Sequence, residues 1–160
     1  MSMPVRTFHG PNSLILDVDL STYNTSDGTG QSPNNQLRQP DARLLEDLTT
    51  AFNNEGWGFI IFGKAVKFVG GPPIGYSEWI FYVPHSFISG HIYGHPSGQY
   101  FELMGQFVIH VVAIIRDDLA NCTCRVCTTA AAASSAPSDT SGHSDPSGPA
   151  APAAPSAPSA

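Results

Sequence analysis

Residues 91–127 read HIYGHPSGQYFELMGQFVIHVVAIIRDDLANCTCRVC, and the way this stretch folds decides the architecture of the chain. HIYGHPSGQYF (91–101) reads as strand, tight turn, strand. The turn is Gly94, His95, Pro96, Ser97 and Gly98, and Gly98 is free to take a positive φ. FELMGQFVIHVVAIIRDD (101–118) is long enough for a helix but rich in β-branched residues. Periodicity alone does not separate a helix from a buried strand there.

The stretch ends in Cys122, Cys124 and Cys127, the chain's three cysteines. Three thiols cannot all pair with one another. Tetrahedral zinc uses three thiolates and asks for a fourth nitrogen or sulfur ligand. His110 is the preferred fourth ligand. It lies a dozen residues upstream of Cys122 and breaks an otherwise apolar run, and a buried histidine needs a partner. His95 and His91 are alternatives, as are Asp117 and Asp118. Without metal the three residues would be plain reduced thiols. GHPSG is not a G-x-S-x-G elbow, so Ser97 carries no nucleophile reading. His95 otherwise reads as a turn residue. No catalytic residue is assigned, and the chain is read as a non-enzyme.

Upstream, SLILDVDL (13–20) alternates as a short strand. NTSDGTGQSPNNQ (24–36) is loop material. Asp41 is a plausible N-cap for a helix whose Leu44, Leu45, Leu48 and Phe52 share one face, ended by Asn53, Asn54 and Gly56. WGFIIF (57–62), KAVKFV (64–69) and EWIFYVP (78–84) read as strands around a GGPPIG turn (70–75). Asp17, Asp19 and Asp27 lack an EF-hand pattern and read as solvated. Trp57, Trp79, Tyr82 and Tyr93 read as core and sheet residues. Tyr93, Tyr100 and Phe101 also form a possible protein interface.

The layout expected is an α+β fold in which a small antiparallel sheet packs on one or two helices. A zinc-stabilised cysteine cluster closes it. Residues 1–12 are a flexible N-terminus and 13–127 the folded domain. Residues 128–160, dominated by Ala, Ser and Pro, form a disordered tail in which His143 is incidental. Charged residues make up only 12% of the chain and the net charge is −6. A free-standing nucleic-acid binder is usually basic. MSMPVRTFHGPN lacks the apolar core of a signal peptide. The run FVIHVVAII (107–115) is about half of the ~20 residues a membrane span needs. A soluble protein of a reducing compartment is expected, with neither a membrane nor a small-molecule substrate as partner.

The order of Tyr93-Gly94-His95-Pro96-Ser97-Gly98, Phe107-Val108-Ile109-His110 and C-x-C-x-x-C resembles the N-terminal region of the fungal transcription-silencing family cryptic loci regulator 2, as a divergent or partial member. The turn and helix also look like a methyl-CpG-binding-domain fold. The resemblance implies a nuclear, non-catalytic subunit of a heterochromatin-silencing complex (SHREC) that joins a nucleosome remodeller to a histone deacetylase. It also implies that 101–118 is a helix. The chain departs from the pattern after the turn, where Gln99, Tyr100, Phe101 and Glu102 replace basic residues. No Lys or Arg lies between Lys67 and Arg116. Phosphate contacts and guanine readout therefore cannot come from that segment. Docking onto protein subunits is the first functional reading, direct DNA or nucleosome binding the second, and a thiol-dependent enzyme the third.

Overall fold

The structure is a computed structural model that describes residues 14–34, 36–81 and 90–134. The expected N-terminal segment at 1–12, Tyr82 and the end of the 78–84 strand, and the tail beyond 134 lie outside the described residues.

Two small sheets share one core. Strand β1 (Ile15–Val18) runs parallel to β3 (Ala65–Phe68), pairing Leu16 with Val66. Parallel neighbours need a long crossover, and helices α1 (Asp41–Asn54) and α2 (Trp57–Phe62) supply it. The second sheet is antiparallel, in the order β2 (Leu37–Arg38), β4 (Ser77–Ile80), β5 (Gly90–Tyr93). Phe101 extends it by a single bridge to Ile92, so the second strand expected after the GHPSG turn is reduced to one residue.

Helix α1 forms where the i, i+4, i+8 pattern places it, and it buries Leu44, Leu45, Leu48 and Phe52. Its cap differs from expectation. Pro40 occupies the N-cap, and Asp41 is the first helical residue, bonded to Arg38 at 3.0 Å. A carboxylate there still faces the positive end of the helix dipole. The larger correction is α2, since WGFIIF is a helix and not a strand. Gly63 takes a left-handed φ of 72° and its N–H bonds back to Phe59, a helical C-cap. A six-residue run that is apolar on all sides carries no period with which to distinguish the two states.

One edge of β3 is covered by α1. Asn53 Oδ1 accepts the Val66 N–H at 3.0 Å and its Nδ2 donates to the Val66 carbonyl at 2.7 Å. One turn earlier, Thr49 Oγ1 accepts the Phe68 N–H at 3.0 Å. Two helical side chains thus stand in for a missing strand. Asn53→Ala is expected to cost about 2 kcal/mol in urea unfolding, because it orphans two backbone groups.

Helix α3 (Met104–Arg116) settles the ambiguous stretch. Phe107, Val108, Val111 and Ile114 are fully buried, and each contributes about 1.5–3 kcal/mol by leaving water. Asp117, at φ 55°, ends the helix. Helix α4 (Arg125–Ser134) runs seven residues past the expected boundary at 127. Alanine has the highest helix propensity, so Ala130–Ala133 continue a helix that Val126 anchors in the core.

Three loops meet at glycines. A Cβ on Gly28 would overlap the Ile74 carbonyl and the Gly75 backbone, and one on Gly94 would overlap the Gly75 carbonyl. Thr29 N–H donates to the Gly94 carbonyl at 2.8 Å, and Gly30 N–H to the Gly75 carbonyl at 3.0 Å. This junction pins the polar 24–36 loop against the turn before β4 and the end of β5.

Candidate metal centre

His110 lies on the buried face of α3 and is fully enclosed. Its Nδ1 sits 3.6 Å from Cys122 Sγ, 3.8 Å from Cys124 Sγ and 3.4 Å from Cys127 Sγ. A tetrahedral centre with metal–sulfur bonds of ~2.3 Å and metal–nitrogen bonds of ~2.0 Å has sulfur–nitrogen edges of about 3.5 Å. The three measured separations lie around that length. The four ligand atoms are mutually within 4.8 Å, so these residues can hold a metal ion. Local structure explains the grouping. A turn of 3-10 helix at 119–121 reverses the chain after α3, and Cys122 and Cys124 follow it. Cys127 lies in the first turn of α4, where its N–H points at Cys124 Sγ, 3.4 Å away.

The other nitrogen of His110 is equally engaged. Nε2 is 2.8 Å from the Tyr76 hydroxyl and 3.1 Å from Asp27 Oδ1. Tyr76 donates its own proton to Asp27 Oδ1 at 2.6 Å. Both neighbours therefore accept from Nε2–H, which leaves the Nδ1 lone pair facing the sulfurs. A carboxylate behind a ligating histidine fixes its tautomer and ring orientation. Asp27 thus corrects the solvated reading. The 24–36 loop gave no periodic signal, and only the adjacent Gly28, which the junction requires, hinted that the loop is pinned.

Without a metal, the three thiols hold their protons unequally. Cys122 is pushed up to about 12 by its hydrogen bond to Cys124 and by burial. Burial pushes Cys127 up to about 11. Cys124 is lowered, chiefly by the Cys122 hydrogen bond. Burial favours neutral His110, but its bonds with Asp27 and Cys122 outweigh this and raise its pKa. Burial works against ionised Asp27, yet its hydrogen bonds from His110 and Tyr76 prevail and lower its pKa.

The remaining candidates are placed as follows. His95 lies 3.3 Å from Cys127 Sγ, outside the four-residue group, and with Asp27 and His110 forms a second group whose ligand atoms lie within 4.8 Å of one another. His91 stacks on Tyr100 with centroids 4.5 Å apart. Asp118 accepts from the Asn121 side chain, and Asp117 caps α3. Among the expected interface residues, Phe101 is core at 1% exposure, because its pairing with Ile92 turns the ring inward. Tyr93 is half-buried, with Gln36 donating to its hydroxyl, while Tyr100 is exposed. Among the described residues no helix is long and apolar enough to cross a membrane.

No protein-family model and no curated protein matches the chain. Among solved structures it is similar to a chain in the structure of Clr2 bound to the Clr1 C-terminus. The TM-score is 0.50 and the identity 19%, and the match covers 69% of this chain but 30% of that one. The chain therefore spans under a third of the protein it matches, and at that identity the likeness concerns the fold. The chain has a Clr2-like α+β fold, with three cysteines and a histidine gathered at one centre that can hold a metal ion.

Proposed function

We propose that this chain is a non-catalytic, nuclear protein-docking module of a heterochromatin-silencing complex, its C-terminal helices held by structural zinc. The observation that carries the reading is the match to a Clr2 structure captured with the C-terminus of another protein. The cysteine set supports zinc, because three sulfurs and one nitrogen close all four tetrahedral positions, as in structural sites. Cys124, the thiol with a lowered pKa, is fully buried, which runs against an accessible nucleophile.

Charge argues for proteins over DNA as the partner. Arg38 pairs with Asp41, Arg43 with Asp47, and Arg116 lies over the Trp57 ring. The test is tagged full-length protein purified from nuclei, with the associated proteins identified by mass spectrometry. A remodeller ATPase and a histone deacetylase are expected well above background, and a Cys124→Ser variant should lose them. In parallel, anisotropy with methylated and unmethylated duplexes should show little binding at any salt. Tight binding that falls steeply with salt would replace the docking reading with direct DNA recognition.

A further inference from the structure

The GHPSG turn packs directly against the cysteine cluster, and the hydrogen bonds within it fix which nitrogen of His95 carries the proton. Ser97 N–H points at His95 Nδ1 from 3.2 Å, and Ser97 Oγ lies 2.8 Å from the same nitrogen. Ser97 Oγ in turn accepts the Gln99 N–H at 3.3 Å, so its own proton is free for Nδ1. A nitrogen that accepts from a backbone N–H carries no proton itself. The ring is 5% exposed, and with no proton on Nδ1 it is a neutral imidazole. Its single N–H is therefore Nε2–H, which lies 3.3 Å from Cys127 Sγ.

We propose that His95 is a positioning residue of the metal centre, donating Nε2–H to the Cys127 sulfur and offsetting its negative charge. The inference deepens the zinc reading and rests on it. Three thiolates around a divalent cation leave a net negative charge in a buried site, where unbalanced charge is costly. A neutral donor aimed at one sulfur stabilises the bound thiolate and draws electron density from it. The turn sequence then has a chemical reason. Gly94 brings the backbone close enough, Pro96 and Gly98 shape the turn, and Ser97 sets the tautomer.

The test uses the full chain with zinc, with His95→Phe to remove the donor at similar volume and His95→Gln to retain an N–H. Long-range proton–nitrogen spectra of the metal-loaded wild type should show His95 as the Nε2–H tautomer. Competition with a chromophoric chelator should show His95→Phe binding zinc about ten- to a hundredfold more weakly, with His95→Gln recovering part of the loss. Peptide mapping after N-ethylmaleimide should show Cys127 alkylated faster in His95→Phe, with Cys122 unchanged. An Nδ1–H tautomer, equal impairment of Phe and Gln, or uniformly faster alkylation of all three cysteines would overturn the assignment. Unchanged affinity in His95→Phe would remove the donor role while leaving the zinc site intact. No metal in wild type would remove both.

Discussion

Chelation of the metal-loaded chain at neutral pH is expected to remove its cooperative thermal transition, and His110→Ala is expected to do much the same. Structural zinc contributes on the order of 10 kcal/mol in small domains, comparable with a whole domain's stability of ~5–15 kcal/mol. The geometry explains why little would remain. Helix α4 buries only Val126 among its ten residues, so the link from Cys124 and Cys127 to His110 is its main attachment. Hydrogen exchange should rise first in 119–134 and later in α1. A chelated chain that keeps its melting temperature and its protection in α4 would show that packing alone holds the cluster.

The pH dependence of the two forms should have opposite sign around and above neutrality. In the metal-free chain Cys122 and Cys127, at about 12 and about 11, are protonated. Loading therefore releases at least two protons, and affinity should fall about a hundredfold per pH unit on acidification. Calorimetry in buffers of different ionisation enthalpy reads that number. The metal-free chain behaves otherwise. His110 has a raised pKa in the fold, so its contribution is complete below the unfolded value and is lost as pH rises through the folded one. Asp27 has a lowered pKa, so its contribution is present above the unfolded value and is lost as pH falls through the folded one. The residual folded fraction of the metal-free chain is thus largest between the two, while metal-loaded stability climbs with pH.

The legible parts of this chain are those that carry a period or a rare residue type. Leu44, Leu45, Leu48 and Phe52 mark α1, and three clustered cysteines with one histidine in an apolar run mark the centre. What escaped depends on partners distant in sequence. The pairing of β1 with β3 spans about fifty residues and leaves no local trace. WGFIIF is apolar throughout, so its state is set by the glycines on either side. Asp27 sits in a loop whose composition resembles solvated linkers, and the Tyr76 and His110 that give it a role lie 49 and 83 residues away.

Asp27, Tyr76 and His95 each stand next to one glycine of the junction: Gly28, Gly75 and Gly94. This arrangement makes Gly94→Ala the substitution with the second-largest expected effect. At φ 133° an alanine is strained, and its Cβ would overlap the Gly75 carbonyl oxygen, backbone that cannot rotate away. Strain of ~1–3 kcal/mol and overpacking of similar size together predict a loss of about 4 kcal/mol. Gly98→Ala is the control. Its φ of 77° is also left-handed, but a Cβ there meets nothing closer than Gln31 Oε1 at 3.9 Å, so about 1 kcal/mol is expected. The metal reports whether the junction serves the centre. With cobalt in place of zinc, Gly94→Ala should shift the sulfur-to-metal charge-transfer band, because His95 and Tyr76 move with the backbone that carries them. Gly98→Ala should leave the band nearly unchanged. If Gly94→Ala loses stability but keeps the wild-type spectrum, the junction holds the loops together without holding the histidines. If both variants cost the same, the backbone conformation matters and the close approach does not.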